Sequence, residues 1–183
     1  MSRRENSYGR SAGFSSLRRR NILVVSGGQK SEPQYFSGLK LTRGARIRVR
    51  CKVDSPLNLV RHAEKVWNQY REEFDTAWCV VDVDNFDISS AVRLAASKNI
   101  NLAVSDPCFE VWLLLHFADH CGHIADYRAA RNLLARHVPG YDKKLNYAAF
   151  APGLDDAIAR AKALPPGNPS TGVWRLVEAA LNR

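Results

Sequence analysis

The chain has 183 residues, 45% apolar and 25% charged, with 27 Lys and Arg against 18 Asp and Glu and a formal net charge of +9. These proportions suit a folded domain and exclude a disordered or collagenous chain. The longest apolar runs, such as 111–115, are too short to span a bilayer, and no apolar segment follows the N-terminal arginines as in a secretion signal. Cys51, Cys79, Cys108 and Cys121 lie far apart without a C-x-x-C pair, which argues against a zinc site and a disulfide scaffold. Cys51, Cys79 and Cys108 sit in apolar contexts and read as reduced, buried thiols in a cytoplasmic protein.

Along the chain, residues 1–20 are rich in Ser, Gly and Arg without periodicity, and predict a disordered basic arm. The remainder, 21–183, is expected to be one domain. Residues 22–25 are wholly apolar and β-branched, as in a buried parallel strand. Ser26-Gly27-Gly28 breaks the run, and a helix is expected near Glu32-Pro33. Residues 46–51 alternate, with Ile47, Val49 and Cys51 on one face and Arg46, Arg48 and Arg50 on a wet, basic face. Ser55-Pro56 opens a helix whose apolar positions run from Leu59 to Tyr70. A strand over 77–81, a helix over 87–98 and a strand over 100–104 follow. Asp106-Pro107 is expected to start a helix through Phe117, with further helices near 126–137, 154–163 and 170–181. The pattern predicts an α/β fold: a central, mainly parallel sheet flanked by helices, with a helical C-terminal portion.

The strongest chemical signal is Trp78-Cys79-Val80-Val81-Asp82-Val83-Asp84. An apolar strand ends in two carboxylates on one face, where open α/β sheets bind ligands. Two such oxygen donors suit a hard cation, Mg²⁺ or Mn²⁺. As a bland alternative, these residues merely end the strand. Gly27 and Gly28 permit a tight turn before a helix start, but neither P-loop nor dinucleotide spacing is present. Glu110 falls in the first turn of its helix, and His116 reads first as a core histidine. Tyr141-Asp142-Lys143-Lys144 reads as a solvated loop, and Asn168-Pro169-Ser170-Thr171 as a loop and N-cap. Two acid-poor basic runs, in the arm and from Lys40 to Lys52, favour DNA or RNA contact through Arg46, Arg48 and Arg50, with Lys143 and Lys144 of the later loop as further candidates.

Five stretches occur in an order that resembles the RloB family: Glu32, Pro33, Tyr35 and Phe36; Asp82 and Asp84; Ser105 to Phe117; Tyr141 to Lys143; and Asn168 to Thr171. The resemblance implies a Toprim-like fold related to topoisomerase-primase and OLD-type nuclease domains, and an association with phage defence and abortive infection. It also implies an AAA-type or OLD-like ATPase partner and no membrane. Toprim sites pair a Glu at the end of the first strand with the D-x-D, and Ser26 stands where that Glu belongs. Serine is no base at neutral pH. The metal-holding half is therefore kept and the acid/base half lost. Either Glu32 or Glu110 compensates, or the chain is a weakened or silenced member, natural or engineered. Ser26, Glu32, Asp82, Asp84, Glu110, His116 and Lys143 are the catalytic candidates, with Asp82 and Asp84 as metal ligands.

Overall fold

The computed structural model describes residues 19–83, 87–142 and 144–182. Strand β1 (Ile22–Ser26) is buried at every position. Helix α1 (Ser31–Arg43), strand β2 (Ile47–Cys51) and helix α2 (Pro56–Gln69) follow. Ser55 caps α2 by accepting from the Asn58 amide at 3.4 Å, and Pro56 fills the first turn, where no intrahelical N–H is needed. Strand β3 (Thr76–Asp82), helix α3 (Ser89–Ser97) and strand β4 (Asn101–Asp106) complete the α/β alternation. The chain then runs through α4 (Glu110–Leu115), α5 (Tyr127–Ala135), α6 (Tyr147–Phe150), a 3-10 turn (Ala151–Gly153) and α7 (Leu154–Ala163). It closes with β5 (Ser170–Thr171) and α8 (Val173–Leu181).

The sheet order is β2-β1-β3-β4-β5. The first four strands are parallel, in register at Val24 with Val49 and Trp78 and at Val80 with Ala103. Only β5 is antiparallel. Alternation sends Ile22 and Val24 into a large core with α1, α4 and the C-terminal helices. Leu23 and Val25 enter a smaller core beneath α2 and α3. Two covered faces explain why the strand is continuously apolar. Each such Val or Ile contributes about 1.5–3 kcal/mol by leaving water.

Three expectations are corrected. The helix expected from Asp106-Pro107 starts only at Glu110. Asp106 stays extended because it pairs with Ser170 and its Oδ1 accepts from Asn168 Nδ2 at 2.9 Å. The helix expected from 170 begins at Val173, because Ser170 and Thr171 form β5 and the Thr171 and Ser105 hydroxyls bond at 2.9 Å. Cys51 is exposed rather than buried, because it ends the edge strand, while Cys79 and Cys108 are buried as expected. Asn168 does more than form a loop: it also bonds the Ile124 N–H and C=O, both at 2.8 Å. Among the described residues no helix is long and apolar enough to cross a membrane.

Candidate functional site

Strand β1 ends at Ser26 opposite Val80, β3 runs two residues further to Asp82, and α1 and α4 open next to them with Glu32 and Glu110 in their first turns. Strand alternation puts Ser26, Val80 and Asp82 on the sheet face covered by α1 and α4. The result is a cleft of about 350 Å³ lined by Glu32, Asp82 and Glu110, with Gly28, Ser31 and Val53 among its walls. Gly28, Glu32 and Asp82 also line an adjoining hollow of about 120 Å³, to which Asp54 belongs. Ligands of open α/β sheets sit at this end of the strands.

Glu32 is buried, and its carboxyl lies so close over Gly28 that a Cβ there would collide with it. Only glycine at position 28 leaves that carboxyl its place. Glu110 is 3% exposed. Its Oε1 accepts from the Tyr141 hydroxyl at 3.0 Å and from Ser31 Oγ at 3.4 Å, and the two hydroxyls lie 2.9 Å apart. Burial raises the pKa of Tyr141, and the neighbouring Glu110 charge raises it further. Cys108 is pushed up first by burial, then by the charges of Glu110 and Asp82, so its thiol stays protonated under the cleft. Asp54 ends the turn after β2, and the Asn58 amide, then Lys52, lowers its pKa to about 2.

Ser26 is fully buried. Its hydroxyl donates to the Gly28 carbonyl at 2.8 Å, with Cys51 Sγ at 3.7 Å, and it is not part of the cleft wall. His116 is also apart from the cleft, packed against Tyr35, Trp112 and Phe150. Because a carbonyl only accepts, the Nδ1–H donates to Phe150 O at 2.7 Å, and Nε2 accepts from the Tyr35 hydroxyl at 3.1 Å. Burial lowers its pKa to about 4, so the ring is neutral. Asp84 and Lys143 lie outside the described residues. Arg46, Arg48 and Arg50 are exposed at and along β2, and Lys144 is exposed in the loop after Tyr141.

Among the described residues no group of three or more His, Cys, Asp or Glu is set to hold a metal ion. The carboxylates that line the cleft are nonetheless oxygen donors of the kind a hard cation takes. Sequence reasoning gave no role to Tyr141 and Ser31 and passed over Asp54. Tyr141 carried a signal through the Tyr141 to Lys143 stretch, and Asp54 through its place three residues beyond the end of β2.

These features define an open, mainly parallel α/β protein with a carboxylate-lined cleft beyond its strand ends. The family model described as RloB-like protein matches residues 22–179, and the chain belongs to that family. No curated protein and no solved structure gives a significant match.

Proposed function

We propose that this chain is a divalent-metal-dependent nuclease or phosphodiesterase of phage defence, acting on DNA or RNA in the cytoplasm. The observation that carries the reading is the meeting of Glu32, Asp82 and Glu110 in one cleft beyond β1 and β3. Asp82, with Asp84 two residues on, holds Mg²⁺ or Mn²⁺. When bound, the ion supplies Lewis-acid stabilisation of the phosphoryl group. Glu32 takes the place of the carboxylate missing at Ser26, because it lines both hollows with Asp82. Glu110 is the other stand-in; it lines the larger hollow with Asp82, and its Oε1 accepts from the Tyr141 and Ser31 hydroxyls. Lys143 and Lys144 neutralise phosphate charge, and an AAA-type or OLD-like ATPase acts beside the chain.

A second reading is a catalytically silent module that regulates such an ATPase on nucleic acid. Ser26 favours it, being neutral, buried and hydrogen-bonded to Gly28. General acid–base help is worth roughly 10²–10⁴-fold, so losing the carboxylate leaves slow turnover. The deciding experiment assays native, Ser26→Glu and Asp82→Ala proteins on plasmid, single-stranded DNA and tRNA with Mg²⁺ and Mn²⁺. Native cleavage that Asp82→Ala abolishes supports Glu32 as the replacement. Cleavage only by Ser26→Glu marks a weakened enzyme. Silence of every variant, with and without the ATPase, refutes the nuclease and leaves the regulatory module.

A further inference from the structure

The cleft concentrates negative charge, so it does not by itself attract a polyanion. Lys30 is the one basic residue among the cleft's lining, and Lys52 beside it is paired with Asp54 at 3.0 Å, whereas a further group of cations gathers at the other end of the sheet. Lys40 of α1, Arg46 and Arg48 line a hollow of about 620 Å³ with Glu72, Glu73 and Phe74. It opens where β1 and β2 begin: the Ile22 amide donates to Arg46 O at 2.8 Å, and Ile22 pairs with Ile47. Helix α1 ends beside it at Gly44, whose φ of 65° is the left-handed conformation glycine tolerates. The Arg19 guanidinium lies over this glycine and donates to Arg43 O at 2.5 Å.

Four cations, Arg19, Lys40, Arg46 and Arg48, therefore meet three acids, Glu72, Glu73 and Asp75, in or beside the hollow, Asp75 accepting from the amide of the lining residue Asn21 at 2.7 Å. Of these cations, among the described residues, Arg48 alone forms an ion pair, with Glu73 at 2.6 Å. That guanidinium also lies over the Phe74 ring, 5.4 Å from its centre. Lys40 and Arg46 are left as exposed charges on a concave wall. Arginine and lysine on such a wall suit phosphate oxygens, and nucleic-acid backbones present these in series.

The geometry points to a second contact for the nucleic-acid phosphate backbone in this hollow, remote from the acidic cleft, so that affinity is supplied at one end of the sheet and chemistry at the other. The inference rests on nucleic acid being the ligand and adds where and how it is held. It also sets a length. Strand β1 runs from Ile22 to Ser26, roughly 13 Å at ~3.3 Å per residue. A stacked single strand that reaches both ends must span about four nucleotides or more, at the ~3.4 Å per nucleotide of one strand.

The test is fluorescence anisotropy on the full chain with labelled single-stranded DNA and RNA of twenty and of three nucleotides. EDTA prevents cleavage, and salt runs from 50 to 200 mM. Lys40→Glu/Arg46→Glu is compared with the native protein and with Arg93→Glu/Arg175→Glu, which carries the same charge change on α3 and α8. The hollow variant should bind the twenty-mer at least tenfold more weakly, with a salt slope shallower by about 1.4, two phosphates at ~0.7 each. The control pair should stay within threefold of native. The three-mer, too short to reach both ends and held at the hollow if at all, should bind the native chain more weakly than the twenty-mer does and the hollow variant more weakly still. If the charge-reversed pair melts early, Lys40→Gln/Arg46→Gln replaces it, with threefold or more expected. Hollow and control variants weakened equally, or neither weakened, overturn the inference while leaving the nuclease reading intact. A native chain that binds no twenty-mer at 50 mM salt overturns both.

Discussion

His116 offers a prediction whose size follows from its surroundings. In the fold the ring is neutral, with a pKa lowered to about 4 by burial, against an ordinary value of 6.5. The unfolded chain therefore binds one more proton than the native chain between these values. Stability is complete above about pH 6.5 and falls as the pH drops towards 4. Between pH 7.5 and 4.5 the loss from this ring is about 2.5 kcal/mol, at ~1.36 kcal/mol per pKa unit. His116→Gln keeps a donor for Phe150 O and an acceptor for Tyr35 but cannot titrate. It should lose about 1–2 kcal/mol at pH 7.5 through imperfect hydrogen bonds. Between pH 7.5 and 4.5 it should then lose about 2.5 kcal/mol less than native, since the carboxylates common to both cancel. Urea unfolding at the two pH values measures this. Parallel losses in both proteins would refute a buried neutral ring and return His116 to the catalytic candidates. Metal binding at the cleft should be equal in the two proteins.

Tyr141→Phe removes a hydrogen bond to the Glu110 carboxylate. It should lower stability by about 1.5–3 kcal/mol in urea titration and weaken Mn²⁺ binding in calorimetry. Unchanged values for both would show that Tyr141 does not hold Glu110. Gly28→Ala should displace the Glu32 carboxyl yet leave the circular dichroism spectrum native, since the collision is with a side chain alone. Cleft-dependent metal binding or cleavage should fall as far as in Glu32→Gln, and a fully active Gly28→Ala would contradict the close approach. Of the four thiols, Cys51 and Cys121 should react at once with an aromatic disulfide reagent. Cys79, pushed up to about 12 by burial, and Cys108 should react only on unfolding. Four fast thiols would exclude this packing.

The parallel core was legible because burial on two faces forces continuous apolar runs, as at 22–25 and 77–81. The end of β3 likewise pointed to the cleft, since an apolar strand that closes on Asp82 sets a carboxylate where open α/β sheets bind ligands. Local pattern failed where a distant partner decides. Asp106-Pro107 has the composition of a helix start, yet Asn168, 62 residues on, holds Asp106 extended. Strand β5 is two residues long, too short for any period, and exists through its pairing with β4. The Ser31–Tyr141–Glu110 bonds join residues 110, 79 and 31 positions apart and leave no trace in spacing. The alternation of Arg46, Arg48 and Arg50 was visible, but Lys40 joins the same wall only because Gly44 ends α1 beside β2.

Among the described residues strand β2 pairs only with β1, so it is an outer margin of the sheet with one row of backbone groups left for a newcomer. Arg48 and Arg50 stand exposed along it. Two copies meeting margin to margin would set guanidinium against guanidinium, and the strand is thereby kept from acting as a template for its own kind. Replacing both by valine would raise β-propensity and remove the repulsion together, turning a soluble border into a seed for precipitation.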